Sequence, residues 1–118
     1  MENQHQQIKG YRDLSKEEID LMNRIKAKGA ELLALHAELA GRLDTDTEVK
    51  LAEARRSIQG MEYEGRPYTV YNGNTDECHE FRRFEAAEPL RWAAIAKTDI
   101  QQGVMALVRA IAQPSTSC

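Results

Sequence analysis

The residues best suited to chemistry lie near the start of the chain. In the stretch HQQIKGYRDLSKEEID, Tyr11 follows Lys9 and Gly10 and precedes Arg12, and the nearest apolar residues, Ile8 and Leu14, are each three positions away. A ring between cations is suited to stacking on a nucleobase, worth roughly 1–3 kcal/mol per base and tolerant of every base. Lys26 lies in the run RIKAK between Arg24 and Lys28. Arg24 and Lys28 read as a solvated helix face. Lys26 follows the apolar Ile25 and so belongs to the margin of an interface, where its stem packs and its ammonium meets phosphate. Arg91 precedes Trp92 near the start of a predicted helix, where the dipole does not favour a cation. That placement hints at an anionic partner, although Glu85 or Glu88 would serve equally. Trp92 reads as core or interface.

The chemistry that the chain lacks is as informative. His5, His36 and His79 fall in three separate segments, and none belongs to a metal-ligand spacing such as HExxH. Cys78-His79 has no second pair to complete a tetrahedral site. There is no Gly-rich phosphate loop, and no histidine sits in the His-x-Thr or His-x-Ser pattern of a two-histidine phosphodiesterase. Acidic pairs such as Glu17-Glu18 read as helix capping and solvation. No catalytic residue, metal or cofactor is therefore expected.

Length and charge narrow the rest. The 118 residues suit one domain spanning 1–118. With 42% hydrophobic, 30% charged and only 6% aromatic residues, the chain fits closely packed helices better than a large core. A net charge of −3 argues against general binding of duplex nucleic acid. No run of 18 apolar residues predicts a membrane span, and the N-terminus lacks the apolar segment of a secretory signal. Two cysteines, Cys78 and the terminal Cys118, do not suggest a disulfide framework, so a reducing cytosol is the expected home.

The elements that must position these residues can be read in turn. Residues 1–14 form an arm hinged at Gly10. Ser15 with Glu18 is a capping box for a helix from about Lys16 to Leu43. Its stripe is Ile19, Met22, Ile25, Gly29, Leu32, Leu35, Leu39 and Leu43. Such a helix spans roughly 40 Å, against a radius of gyration of about 13 Å for a compact 100-residue domain. Residues 44–87 read as an irregular excursion. Within it, Thr47 or Asp46 caps a short helix over 48–57, and Tyr68, Val70 and Tyr71 with Asn72-Gly73 suggest a hairpin. A further short helix covers Cys78–Ala87. Pro89 opens a second long helix, within 88–113, and 114–118 is a tail. The segment GVMALVRAIA is apolar almost all round, which one small chain cannot wrap; self-association follows. Gln101 and Gln102 are expected to bond across a subunit interface, and Gly103 to let helices approach.

The blocks IKGYRDLSKEEIDLMNRIKAKGAELLAL and RWAAIAKTDIQQGVMALVRAIAQP together resemble the phage anti-CBASS cyclic-oligonucleotide sponge family. The resemblance implies an all-α chain of two long antiparallel helices, with a short arm and an irregular excursion, interlocked as a homohexamer. It implies a phage protein, working in the cytoplasm of the infected bacterium, that sequesters cyclic di- and trinucleotide immune messengers without cleaving them. It assigns Tyr11 to the bases and Lys26 to the phosphates of a cyclic dinucleotide, with Lys9, Gly10 and Arg12 as further candidates. It assigns Arg91 to a separate cyclic trinucleotide site where three subunits meet. Short family members have only a brief connection in place of residues 44–87, whose role stays open. Two rival readings stand beside this one. A helical oligomer that blocks a host defence protein by direct contact explains the long helices but not the cation-flanked Tyr11. An enzyme that degrades the messenger would lack recognisable catalytic groups.

Overall fold

The computed structural model describes residues 12–114. In order they form α1 (Lys16–Ser57), β1 (Glu62–Tyr63), β2 (Arg66–Pro67), α2 (Asp76–Ala86) and α3 (Pro89–Ala112). The protein is mostly helical, with one antiparallel pair of two-residue strands as its sheet among the described residues. Two compact units share the long helices: one joins the chain through Leu35 to the chain from Ala96, and the other is His36–Ile95.

α1 begins where the capping box places it. The Ser15 amide donates to Glu18 Oε1 at 2.9 Å, and the Glu18 amide donates to Ser15 Oγ at 3.1 Å. The helix does not stop at Leu43. It continues for 42 residues and absorbs the predicted short helix after it. Thr45 and Thr47 do not cap. Their hydroxyls donate to the carbonyls of Gly41 and Leu43, at 3.2 and 2.8 Å, an i−4 pattern that lets threonine stay inside a helix. Arg42 pairs with Asp46 at 3.8 Å across the same turn.

In the first unit, α1 packs on α3 through a narrow contact. Gly29 is buried, and a Cβ added there would lie 2.6 Å from Val104 Cγ2. A Cβ added at Gly103 would meet nothing within 4 Å among the described residues. The inward row of α1 passes Met22, Ile25, Gly29 and Leu33. The expected stripe therefore splits after Gly29: Leu32 and Leu35 turn outward, 49% and 60% exposed. Arg12 fastens the chain ahead of α1. Its Nη2 donates to Glu18 Oε2 at 2.6 Å and to the Ile111 carbonyl at 2.7 Å. Arg12 thus sits by the end of α3 while Gly29 sits by its middle, so the two helices run antiparallel.

In the second unit, Ala54, Ile58, Val70, Cys78 and Phe81 form the core. A relay joins α2 to the end of α1: the Cys78 amide donates to Thr75 Oγ1 at 3.1 Å, the Thr75 and Ser57 hydroxyls bond at 2.7 Å, and Ser57 donates to the Ala54 carbonyl at 2.7 Å. Thr75 is the N-cap, and α2 starts at Asp76, two residues earlier than expected. The hairpin turns at Glu64-Gly65, not at Asn72-Gly73, and Tyr68–Tyr71 are not strand. Gly73 is needed for another reason: a Cβ there would lie 2.8 Å from Cys78 Sγ. Lys50 reaches Glu80 at 2.9 Å, and Arg83 reaches the same carboxylate at 2.6 Å. His36 donates from Nε2 to the Ala93 carbonyl at 2.7 Å, joining α1 to the first turns of α3.

Two predictions follow from this packing. Gly29→Ala should destabilise the chain by about 1–3 kcal/mol through overpacking against Val104, less a propensity gain of up to about 1 kcal/mol. In a Val104→Ala background the same change should be neutral or stabilising; denaturant melts of the four-member cycle read the difference, and equal costs in both backgrounds reject the contact. The second concerns acid. Glu18 is held at about 2 against an ordinary 4.5, chiefly by the Arg12 hydrogen bond and next by the Ser15 amide. Glu80 is likewise held at about 2, by Arg83 first and Lys50 second. The unfolded chain binds these protons first, so both contributions are complete above about pH 4.5 and are lost as the pH falls toward 2. Thermal melts between pH 7 and 2 should show this loss, and Glu18→Gln should make it shallower; superimposable profiles reject the clasp.

Candidate functional site

Tyr11, Lys9 and Gly10 lie outside the described residues. Their neighbour Arg12 is described, and its guanidinium is already committed. It is bound to both Glu18 oxygens, at 2.6 and 3.4 Å, and to the backbone of α3. Arg12 therefore acts as an anchor for the chain beside Tyr11, a role that its sequence position among cations did not reveal. Its partner Ile111 is 99 residues away, and no local pattern could have named it.

Lys26 differs from its two cationic neighbours. Along RIKAK, Arg24 pairs with Asp20 at 4.0 Å and Lys28 with Glu31 at 3.7 Å, both on exposed helix surface. Such pairs are worth little in water, as a solvated face requires. Lys26 is exposed, and among the described residues its ammonium has no carboxylate partner. It stands four residues after Met22 and three before Gly29, so it borders the row that packs on α3. Leu21, Ile25, Leu32 and Leu107 line an apolar groove of about 360 Å³ rimmed by Arg24 and Lys28.

Arg91 lies in the other unit. It pairs with Glu88 at 3.6 Å, one of the two carboxylates weighed from the sequence. Both side chains are more than half exposed, which makes this a weak and exchangeable pair. The guanidinium also sits 5.2 Å from the Trp92 ring centre, and Trp92 is itself 58% exposed. Trp92 is thus not core within one chain. Phe81, Phe84 and Leu90 line a cleft of about 260 Å³ that Arg91 borders.

The adjacent Cys78 and His79 turn to different tasks. Cys78 is buried beneath α1, and His79 Nδ1 accepts from Arg82 Nη2 at 3.0 Å. Among the described residues no group of three or more His, Cys, Asp or Glu side chains has a metal-binding arrangement, and no helix is long and apolar enough to cross a membrane. Sequence reading missed Arg82, which donates to the Val70 and Gly73 carbonyls at 2.8 and 2.9 Å. Backbone acceptors carry no residue-type signature, so only the fold could show this clamp.

Residues 3–112 match the family model described as the Acb2/Tad1 hairpin domain. Anti-CBASS protein 2 of Pseudomonas phage JBD67 is 66% identical over 114 residues, covering 97% of this chain and 97% of that protein. The resemblance carried by the IKGYR and RW blocks is thereby shown, and the chain belongs to the Acb2/Tad1 hairpin-domain family.

Proposed function

We propose that this protein is a phage anti-defence sponge. It binds cyclic di- and trinucleotide immune messengers without cleaving them, in the cytoplasm of the infected host, and so keeps CBASS effectors silent. The observation that carries this reading is the 66% identity, over nearly the whole of both chains, to a protein named for its action against CBASS. An exposed Lys26 with no carboxylate partner among the described residues supports it.

The physical mechanism rests on symmetry. A cyclic dinucleotide has two bases and two phosphates related by an approximate two-fold axis. A homodimer presents the same patch twice, so one Tyr11 and one Lys26 per chain supply two rings and two cations. The chain leaves the surface that such assembly needs: Leu32, Leu35, Leu39, Met105 and Leu107 are all about half or more exposed. Arg12 anchors the chain next to Tyr11, and the arm closes over the ligand, excluding water and strengthening the contacts to phosphate. In the proposed hexamer, three Arg91 side chains converge on a three-fold axis. They repel one another when empty and exchange Glu88 for the phosphates of a cyclic trinucleotide. Bound ligand then stabilises the assembly by mass action.

Tyr11→Ala and Lys26→Ala should each lose cyclic dinucleotide binding in calorimetry while sizing chromatography shows the assembly intact. Affinity unchanged in either variant removes that residue from the site. For the second site, cyclic triadenylate should raise the melting temperature of the wild type and not that of Arg91→Ala; equal gains refute the role of Arg91. Recovery of intact messenger from the denatured complex is expected, and a cleaved product would mean an enzyme instead. Capture of a host defence protein without nucleotide binding would favour the direct-contact inhibitor.

A further inference from the structure

A groove in the second unit lies among residues the messenger reading does not use. Arg55, Gln59, Met61, Tyr68 and Tyr71 line it, and its volume is about 580 Å³. Small-ligand sites typically enclose about 300–1,000 Å³. The loop that forms one wall is firmly held. Arg82 clamps the Val70 and Gly73 carbonyls, the Thr69 amide donates to Asn72 Oδ1 at 2.7 Å, and Val70 is buried in the core.

On this fixed backbone the Tyr71 side chain is nevertheless 61% exposed. Its ring meets Phe81 edge-on with centres 6.0 Å apart, and its hydroxyl donates to Glu85 at 3.2 Å. The ring is thus oriented before any ligand arrives, which lowers the ordering cost of binding. Arg55 lines the same groove as Tyr71, and among the described residues it has no carboxylate partner. Glu62 is the acidic residue of the lining and Arg55 the basic one.

We propose that this groove is a second ligand site, for a planar aromatic heterocycle bearing a phosphate: the ring stacks on Tyr71 and the phosphate meets Arg55. A free mononucleotide and a nucleotide within a single strand share that chemistry. The test uses the full chain carrying Tyr11→Ala and Lys26→Ala, so that its result is independent of the messenger site. AMP, adenosine, inorganic phosphate and a short oligoadenylate are titrated while the signals of Tyr71 and Gln59 are followed by NMR. AMP should shift both signals saturably and bind about tenfold tighter than adenosine, the worth of one charge-assisted contact. Arg55→Ala should abolish that advantage. Tyr71→Leu, which keeps apolar bulk on the core, should weaken AMP and adenosine alike by about tenfold. Oligoadenylate binding tighter than AMP upholds the site for strands, and equal or weaker binding upholds it for free nucleotides. The proposal is overturned if no ligand shifts the groove signals saturably, or if Arg55→Ala leaves the ratio of AMP to adenosine affinity unchanged.

Discussion

Two helices cannot cover the apolar surface that α1 and α3 carry, and the rest of the structure depends on that shortfall. Their contact in the first unit is narrow because Gly29 brings Val104 against the helix backbone. Close approach gives tight packing over a thin row. It leaves Leu21, Leu32, Leu35, Met105 and Leu107 to solvent. Burying each such side chain is worth about 1.5–3 kcal/mol. On α1 the residues Leu21, Ile25, Lys28, Leu32, Leu35 and Leu39 recur at alternating steps of four and three, the spacing of a helix seam that seeks another helix. In the proposed assembly, that seam lies on the same turns that carry Lys26.

Charge is distributed with a similar economy. Arg12, Lys50 and Arg82 are each tied to a carboxylate or to backbone carbonyls of another segment, and they hold elements in place. Lys26 has no carboxylate among the described residues, and Arg91 has only an exposed one in Glu88. A binding cation must be inexpensive to release from its resting partner, because breaking a buried ion pair costs far more than breaking an exposed one. The cations that the fold commits and those that it leaves open are therefore different residues, although both kinds look alike in sequence.

Most of the helical architecture was legible from local signals. The capping box at Ser15 and Glu18, Pro89 at the start of α3 and Pro114 beyond its end all read directly from residue type. The stop at Leu43 misled because Asp and Thr are common caps; here the Thr hydroxyls turn back onto carbonyls four residues earlier and the helix continues. The outward turn of Leu32 and Leu35 was hidden because two apolar rows at spacings of three and four overlap on one helix. The hairpin was misplaced because Asn72-Gly73 is a strong turn pair, whereas its real work is close packing of Gly73 on Cys78. Of the candidate site, residue type marked Lys26 and Arg91, but the commitment of Arg12 to Glu18 and Ile111 depends on long-range contact.

The account stands on identical chains meeting around an axis to enclose a small cyclic polyanion. Native mass spectrometry of the full chain, with and without cyclic di- and trinucleotides, tests it most directly. The account predicts a closed oligomer with one dinucleotide for every two chains and one trinucleotide for every three, each released intact. A monomer, or an oligomer that retains no cyclic nucleotide, would contradict it.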